Sequence, residues 1–338
     1  MTDSEPDLLV AGETLIDFLP DRASSLADVE SFSRRAGGAP ANVAVALARL
    51  DSVPWFWTRV GEDPFGDYLV ETLGEYGVPD RFVERDPEAD TALAFVSHDE
   101  GGERAFTFYR DATADTRVEP GGVPDETLDG VDWVYVGGVM LAAEPGRSAT
   151  LDLARRAADR DCTVVVDPNA RPELWDSDDG TSDHGFPASV REMLDHAHVV
   201  KATPEDLAAA GFESENPEAL TEAVCERGPH TVLLTLGGSG AFAYATEAAP
   251  WGAGTAFHEG YDVDPVDTTG AGDAFTAGVL VALSDSALAS TSDAETPETE
   301  SSLSEVLAFA NAVAAVTTTA PGAMTALPTR EAVRDFRR

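Results

Sequence analysis

Short apolar runs alternate with longer amphipathic stretches along most of this chain. Residues 8–12, Leu-Leu-Val-Ala-Gly, read as a buried strand, and residues 40–50 as a helix with proline in its first turn. Residues 55–60 predict a strand, and 64–76 a helix closed by Gly77. Trp133-Val134-Tyr135-Val136 precedes a helix over about 145–159. Apolar runs at 163–167, 199–202 and 231–236 predict further strands, with helices following near Pro204, Pro217 and Ala271. This alternation predicts an α/β fold in three layers, a mostly parallel sheet with helices on both faces.

One stretch breaks the pattern. Residues 91–98 and 104–110 are two β-like runs joined by Asp99-Glu100-Gly101-Gly102, which reads as a hairpin. No helix intervenes, so the pair predicts a small appended sheet, shared with residues 17–20 or their neighbours. Residues 176–184 read as a polar surface insertion, and 284–302 as a flexible acidic one rich in Ser, Thr, Asp and Glu. The sequence contains no internal repeats.

Composition narrows the function classes. With 338 residues and 43% of them hydrophobic, the chain can bury a sizeable core, and residues 1–338 read as a single domain. The 62 acidic residues outnumber 22 basic ones, for a net charge of −40. That field repels nucleic-acid phosphates and anionic membranes, so neither is an expected partner. No apolar run approaches the ~18–20 residues of a membrane span, and residues 1–7 lack a signal-peptide pattern, so the expected location is the cytoplasm. A carboxylate coat of this density predicts a halophilic, and haloarchaeal, source whose salt screens the self-repulsion. Cys162 and Cys225 are expected to be reduced thiols, and His196 with His198 are too few for a metal site. Lys201 is the only lysine, and it follows Val200, which excludes a phosphate-binding P-loop. The absence of His-Arg-Asp and Asp-Phe-Gly excludes a protein kinase.

The strongest chemical signal is Asp267-Thr268-Thr269-Gly270-Ala271-Gly272-Asp273. A glycine-rich turn opening a helix aims the N–H groups of Gly270, Ala271 and Gly272 at one spot, an anion hole backed by the positive helix end. Asp273 in that first turn is placed to take a proton from an attacking hydroxyl while the hole holds a γ-phosphate. A plain helix cap is the bland alternative. Gly37-Gly38-Ala39-Pro40-Ala41-Asn42 is the second signal: the glycines allow close approach, and Asn42 can both give to and accept from polyol hydroxyls. Asp17, set among Ile16, Phe18 and Leu19, would need such hydroxyls to offset its burial. Arg171 follows a strand end where open sheets bind ligands. Arg110 reads either as a substrate contact or as an exposed ion-pairing arginine, and Lys201 either as a phosphate contact or as a surface lysine.

These two glycine motifs, in this order and separation, resemble the signatures of the PfkB (ribokinase-like) sugar kinases. Gly12-Glu13-Thr14-Leu15-Ile16-Asp17 resembles the family's first strand with its substrate aspartate, and Asp167-Pro168-Asn169-Ala170-Arg171 its fructokinase-type motif. The likeness covers nearly the whole chain. It implies a ribokinase-like, Rossmann-like domain with a β-sheet lid, here about 14–36 and 88–115, that closes over a sugar beside ATP. It implies Asp273 as base, and a nucleotide-side turn at Thr235, Gly237 and Gly240. Asn311 and Ala314 are implied to lie against adenine. Glu205 matches an acid that organises water around Mg2+, although Ala202 stands where an asparagine is expected. Asp267 and Thr269 match positions that hold a monovalent cation, K+ in a potassium-rich cytoplasm. A homodimer through the lid also occurs among such proteins. The resemblance leans towards a fructokinase-like member, with 2-keto-3-deoxygluconate kinase as the alternative. A ribokinase-like kinase comes next, and a non-catalytic sugar sensor is disfavoured by the presence of Asp273.

Overall fold

The computed structural model describes residues 5–22, 24–98, 104–175, 185–290 and 299–338. The chain runs through β1 (Leu8–Ala11), β2 (Leu15–Pro20), β3 (Phe32–Gly37), α1 (Ala39–Arg49), β4 (Trp55–Gly61), α2 (Pro64–Glu75), β5 (Val83–Asp86), β6 (Leu93–His98) and β7 (Arg104–Tyr109). Next come α3 (Asp125–Leu128), β8 (Trp133–Gly137), α4 (Gly146–Ala158), β9 (Thr163–Asp167), α5 (Phe186–Leu194), β10 (Val199–Ala202), α6 (Pro204–Ala209) and α7 (Pro217–Cys225). Then β11 (Thr231–Thr235), β12 (Ala241–Ala245), β13 (Gly254–His258), α8 (Ala271–Ser290), α9 (Thr299–Thr318) and α10 (Arg330–Phe336) complete it.

The larger sheet has the order β13-β12-β11-β10-β9-β8-β1-β4-β5. From β11 to β5 every pairing is parallel, whereas β12 and β13 add an antiparallel edge. Successive residues of a strand point to opposite faces, and here both faces are dry. Leu8 and Val10 join the core made with α1, α8 and α9, while Leu9 and Ala11 join the one made with α4, α5 and α7. A second, four-stranded sheet has the order β3-β2-β6-β7. Phe18 of β2 stacks on Phe95 of β6 at 4.7 Å between ring centroids.

Two elements depart from the sequence reading. The edge pair β12–β13 went unread, because Ala-Phe-Ala-Tyr-Ala carries few β-branched residues. The segment 284–302, expected as a loop, is helical at both ends: α8 continues to Ser290 and α9 begins at Thr299. Ala287, Leu288 and Ala289 are strong helix formers that extend α8 past its polar residues. Residues 291–298 of that segment, the whole of 176–184 and the hairpin tip at 99–103 lie outside the described residues. Among the described residues, no helix is long and apolar enough to cross a membrane.

Candidate active site

A cleft of about 460 Å³ opens beyond the carboxyl ends of β1, β9 and β10, with the small sheet forming one wall. Ligands favour this end of an open parallel sheet because the diverging connections leave a crevice there. Asp17 comes from β2, Asn42 from the first turn of α1, and Asp167 and Arg171 from the end of β9. Lys201 comes from β10, and Gly270, Gly272 and Asp273 from the start of α8.

The start of α8 has the geometry of an anion site. Gly270 turns the chain at φ +78°, a region L side chains avoid, and delivers Asp273 into the first helical turn. The Ala271 N–H donates to the Thr268 carbonyl at 3.2 Å. Among the described residues, nothing accepts from the N–H groups of Gly270, Gly272 or Asp273. The set of available donors therefore differs from the expected Gly270–Ala271–Gly272 at one member: Ala271 is spent closing the turn, and Asp273 takes its place.

Asp273 Oδ2 accepts from Asn42 Nδ2 at 2.7 Å. Burial raises the Asp273 carboxyl to about 6, against the hydrogen bond from Asn42 and the charge of Lys201, which both favour ionisation. Asp17 is raised to about 7 by burial and by the like charge of Asp273, with Arg171 opposing. Its carboxyl lies directly over Gly37, where an added Cβ would fall 2.0 Å from Asp17 Oδ2. This close approach is what the glycine permits.

Two acids quoted within motifs but given no role in the sequence reading also reach the cleft. Glu13 is buried; its Oε1 accepts from the Ala39 N–H at 3.1 Å, and its Oε2 has no partner among the described residues. Burial raises Glu13 to about 7, opposed by the charge of Arg110. Asp167 is buried and accepts from Lys201 Nζ at 2.9 Å and from the Asn169 N–H at 3.1 Å. Position at a central strand's carboxyl end was the available signal for Asp167.

The remaining expected site residues divide between the cleft, which Lys201, Glu205 and Thr269 line, and places away from it. Arg110 is neither a cleft residue nor exposed. It is buried, with Nε donating to Asp115 Oδ2 at 2.5 Å and Nη1 to the Val139 carbonyl at 3.2 Å. Lys201 is buried, not on the surface. Asp206, beside Glu205, is spent on a capping box with Thr203 and on the Ala170 N–H, which leaves Glu205 as the exposed carboxylate on the rim. Asp267 binds its own turn: Oδ1 accepts from the Thr269 N–H and hydroxyl, and Oδ2 from the Gly322 N–H. Thr235 donates to the Ala202 carbonyl at 3.3 Å, Gly237 opens an exposed 3-10 turn, and Gly240 is buried at its end. Asn311 is buried in α9 and donates to the Leu307 carbonyl, with Ala314 three residues on. None of these last five lines the Asp273 cleft. His198 accepts from the Val164 N–H through Nδ1, and both cysteines are free thiols.

Residues 5–330 match the model of the pfkB family of carbohydrate kinases. A probable chloroplastic fructokinase-6 of Arabidopsis thaliana is 35% identical over 339 residues, spanning 99% of this chain and 83% of that protein. The ATP-bound fructokinase of Xylella fastidiosa superposes with a TM-score of 0.82 at 31% identity, covering 97% of each chain. A double-mutant fructokinase of Vibrio cholerae O395, solved with fructose, ADP and potassium ion, gives a TM-score of 0.81 at 32% identity over 100% of both chains.

Proposed function

The chain belongs to the pfkB family of carbohydrate kinases, and on that footing we propose that it transfers the γ-phosphoryl group of ATP to a hydroxyl of fructose. The observation that carries this reading is the Asp273 carboxylate, clamped by Asn42 next to unpartnered N–H groups at a helix start. Asn42 occupies Oδ2 and leaves Oδ1 to accept a substrate proton. The sugar oxygen then attacks the γ-phosphorus, the bond to the bridging oxygen breaks, and ADP leaves with that electron pair. The N–H groups of Gly270, Gly272 and Asp273 face the charge on the phosphoryl oxygens in transit.

Asp17 and Arg171 are assigned to the sugar, since both line the cleft beside Asp273. Magnesium enters as part of the nucleotide substrate, and exposed Glu205 suits its water shell, because such sites need only one or two carboxylates. The adenosine is assigned to the surface around Gly237, Gly240, Asn311 and Ala314, and a potassium ion to the Asp267–Thr269 turn.

The alternative substrate, 2-keto-3-deoxygluconate, carries a carboxylate that a pair of arginines, Arg110 and Arg171, would suit. With Arg110 turned into the core, only Arg171 of that pair reaches the cleft. The test is a product-resolved assay at high KCl with ATP and fructose, 2-keto-3-deoxygluconate or ribose. The highest kcat/KM is expected for fructose, and a higher value for either competitor overturns the assignment.

A further inference from the structure

Lys201 is the sole lysine among 338 residues, and it stands where a charge is costly. Strand β10 is buried along its whole length, and Lys201 is 5% exposed. Its neighbours on β10 and β9 are valines, Val199, Val200, Val165 and Val166, paired in register. The parallel register continues to set Lys201 beside Asp167, and Nζ donates to Asp167 Oδ2 at 2.9 Å. An ammonium has three donors. Among the described residues only Asp167 accepts from it, so two N–H bonds are unspent.

A buried ion pair is no better for stability than a well-packed apolar pair, and unspent donors make it worse. The direction those donors face supplies the reason for the lysine. An added Cβ on Gly272 would sit 3.3 Å from Lys201 Nζ, so the ammonium lies against the first turn of α8. Lys201, Asp167, Gly272 and Asp273 all line the same cleft.

We propose that Lys201 donates to a non-bridging oxygen of the phosphoryl group in transit, with Asp167 as the residue that positions it. The inference rests on the phosphoryl-transfer reading above and adds a full positive charge to what the helix turn offers. In the step, the sugar oxygen bonds to phosphorus and the bridging oxygen leaves on ADP with its electron pair. The hydroxyl proton passes to Asp273, and Lys201 keeps all three of its protons. Burial works to lower the pKa of this ammonium, but Asp167, Asp206 and Asp273 outweigh it and hold the group above the ordinary lysine value, which suits a charge that must not be given up.

Lys201→Met is expected to lower kcat by about 10²–10³-fold, the cost of one donor to transition-state charge, with KM for fructose changed by less than about threefold. Because that variant strands Asp167, the double variant Lys201→Met/Asp167→Asn keeps the buried pair neutral. It is expected to fold and to be as slow as the single variant. A folded double variant with turnover within about threefold of wild type overturns the inference. A second readout needs no substitution. Labelling with [15N]lysine gives one side-chain resonance, which is expected to shift when ADP, fluoroaluminate and fructose are added together. An unmoved resonance under saturating ADP–fluoroaluminate overturns the proposal. If wild type phosphorylates no sugar yet the resonance moves with ATP, the sugar assignment fails while the phosphate contact stands.

Discussion

Asn42 and Asp273, 231 residues apart in sequence, meet through a 2.7 Å hydrogen bond that joins the first turn of α1 to the first turn of α8. The bond sets which carboxylate oxygen is free, and it favours the ionised form of a group that burial pushes the other way. Sequence reading assigned Asn42 to the sugar. In the structure its amide donates to the Asp273 carboxylate.

Asp273→Asn keeps size and polarity but removes the proton acceptor. Loss of a general base costs about 10²–10⁴-fold in turnover. Affinity for ATP and fructose is expected to hold, because the N–H groups of the turn remain. A mere capping role would instead leave turnover intact and cost at most about 1 kcal/mol of stability. Steady-state kinetics with calorimetric binding separates the two.

The pH–rate profile is expected to rise between about 6 and 7, where Asp273 and Asp17 ionise as an interacting pair. Asn42→Ala removes a donor to the carboxylate, so the acid limb moves to higher pH and kcat falls. Asp17→Asn removes a like charge, so the limb moves to lower pH while KM for fructose rises. Profiles of kcat/KM for the two variants that shift in the same direction would refute this arrangement.

The stability contributed by three buried acids is expected to fall as pH rises from about 4 to about 7, while His198, His230 and His258, whose pKa values burial lowers, work the other way over that range. Burial raises the folded pKa values of Glu13, Asp17 and Asp273 to about 7, 7 and 6, above the ordinary carboxylate range, so the native state holds protons the unfolded chain has lost. The contribution is complete below the unfolded values and gone above the folded ones. Chemical denaturation at constant high salt measures it, and Glu13→Gln should flatten the slope.

The two arginines are expected to part company. Arg171→Ala should raise KM for the sugar by about 10–100-fold, the worth of a charged hydrogen bond, and leave the melting temperature alone. Arg110→Met should do the reverse, costing about 3–5 kcal/mol by stranding buried Asp115. Thermal melts run beside Michaelis curves decide the matter.

Melting temperature is expected to climb with KCl, because the net charge of −40 repels itself across the surface. Raising salt from 0.1 M to 1 M shortens the screening length from about 10 Å to about 3 Å. A melt indifferent to that change would remove the argument for a salt-rich source.

Strand positions in the central sheet were legible because both faces are buried, so β9 and β10 announce themselves as unbroken apolar runs. The start of α8 was legible for a local reason as well, since glycine turns and first-turn acids are neighbours in sequence. What was not legible depends on distant partners. Arg110 reads like any arginine after a hairpin until Val139, 29 residues on, supplies its acceptor. Lys201 reads equally as a phosphate contact or as a surface lysine until Asp167, 34 residues back, is seen beside it. The extension of α8 past residue 284 is hidden for a different reason: the polar composition of that stretch masks the helix propensity of its alanines and leucine.

The pairing of α1 with α8 and α9 over one face of the sheet also bears on how the chain is made. Leu8, Val10, Tyr135 and Val165 wait for a cover that is encoded after residue 270. On a ribosome adding about 5–20 residues per second, that apolar face has α1 over it but lacks α8 and α9 until the final fifth of the message has been read. A nascent chain halted earlier has the small sheet but lacks the turn that carries Asp273. It cannot complete the core that α8 and α9 close, so release of a truncated product yields an aggregation-prone fragment.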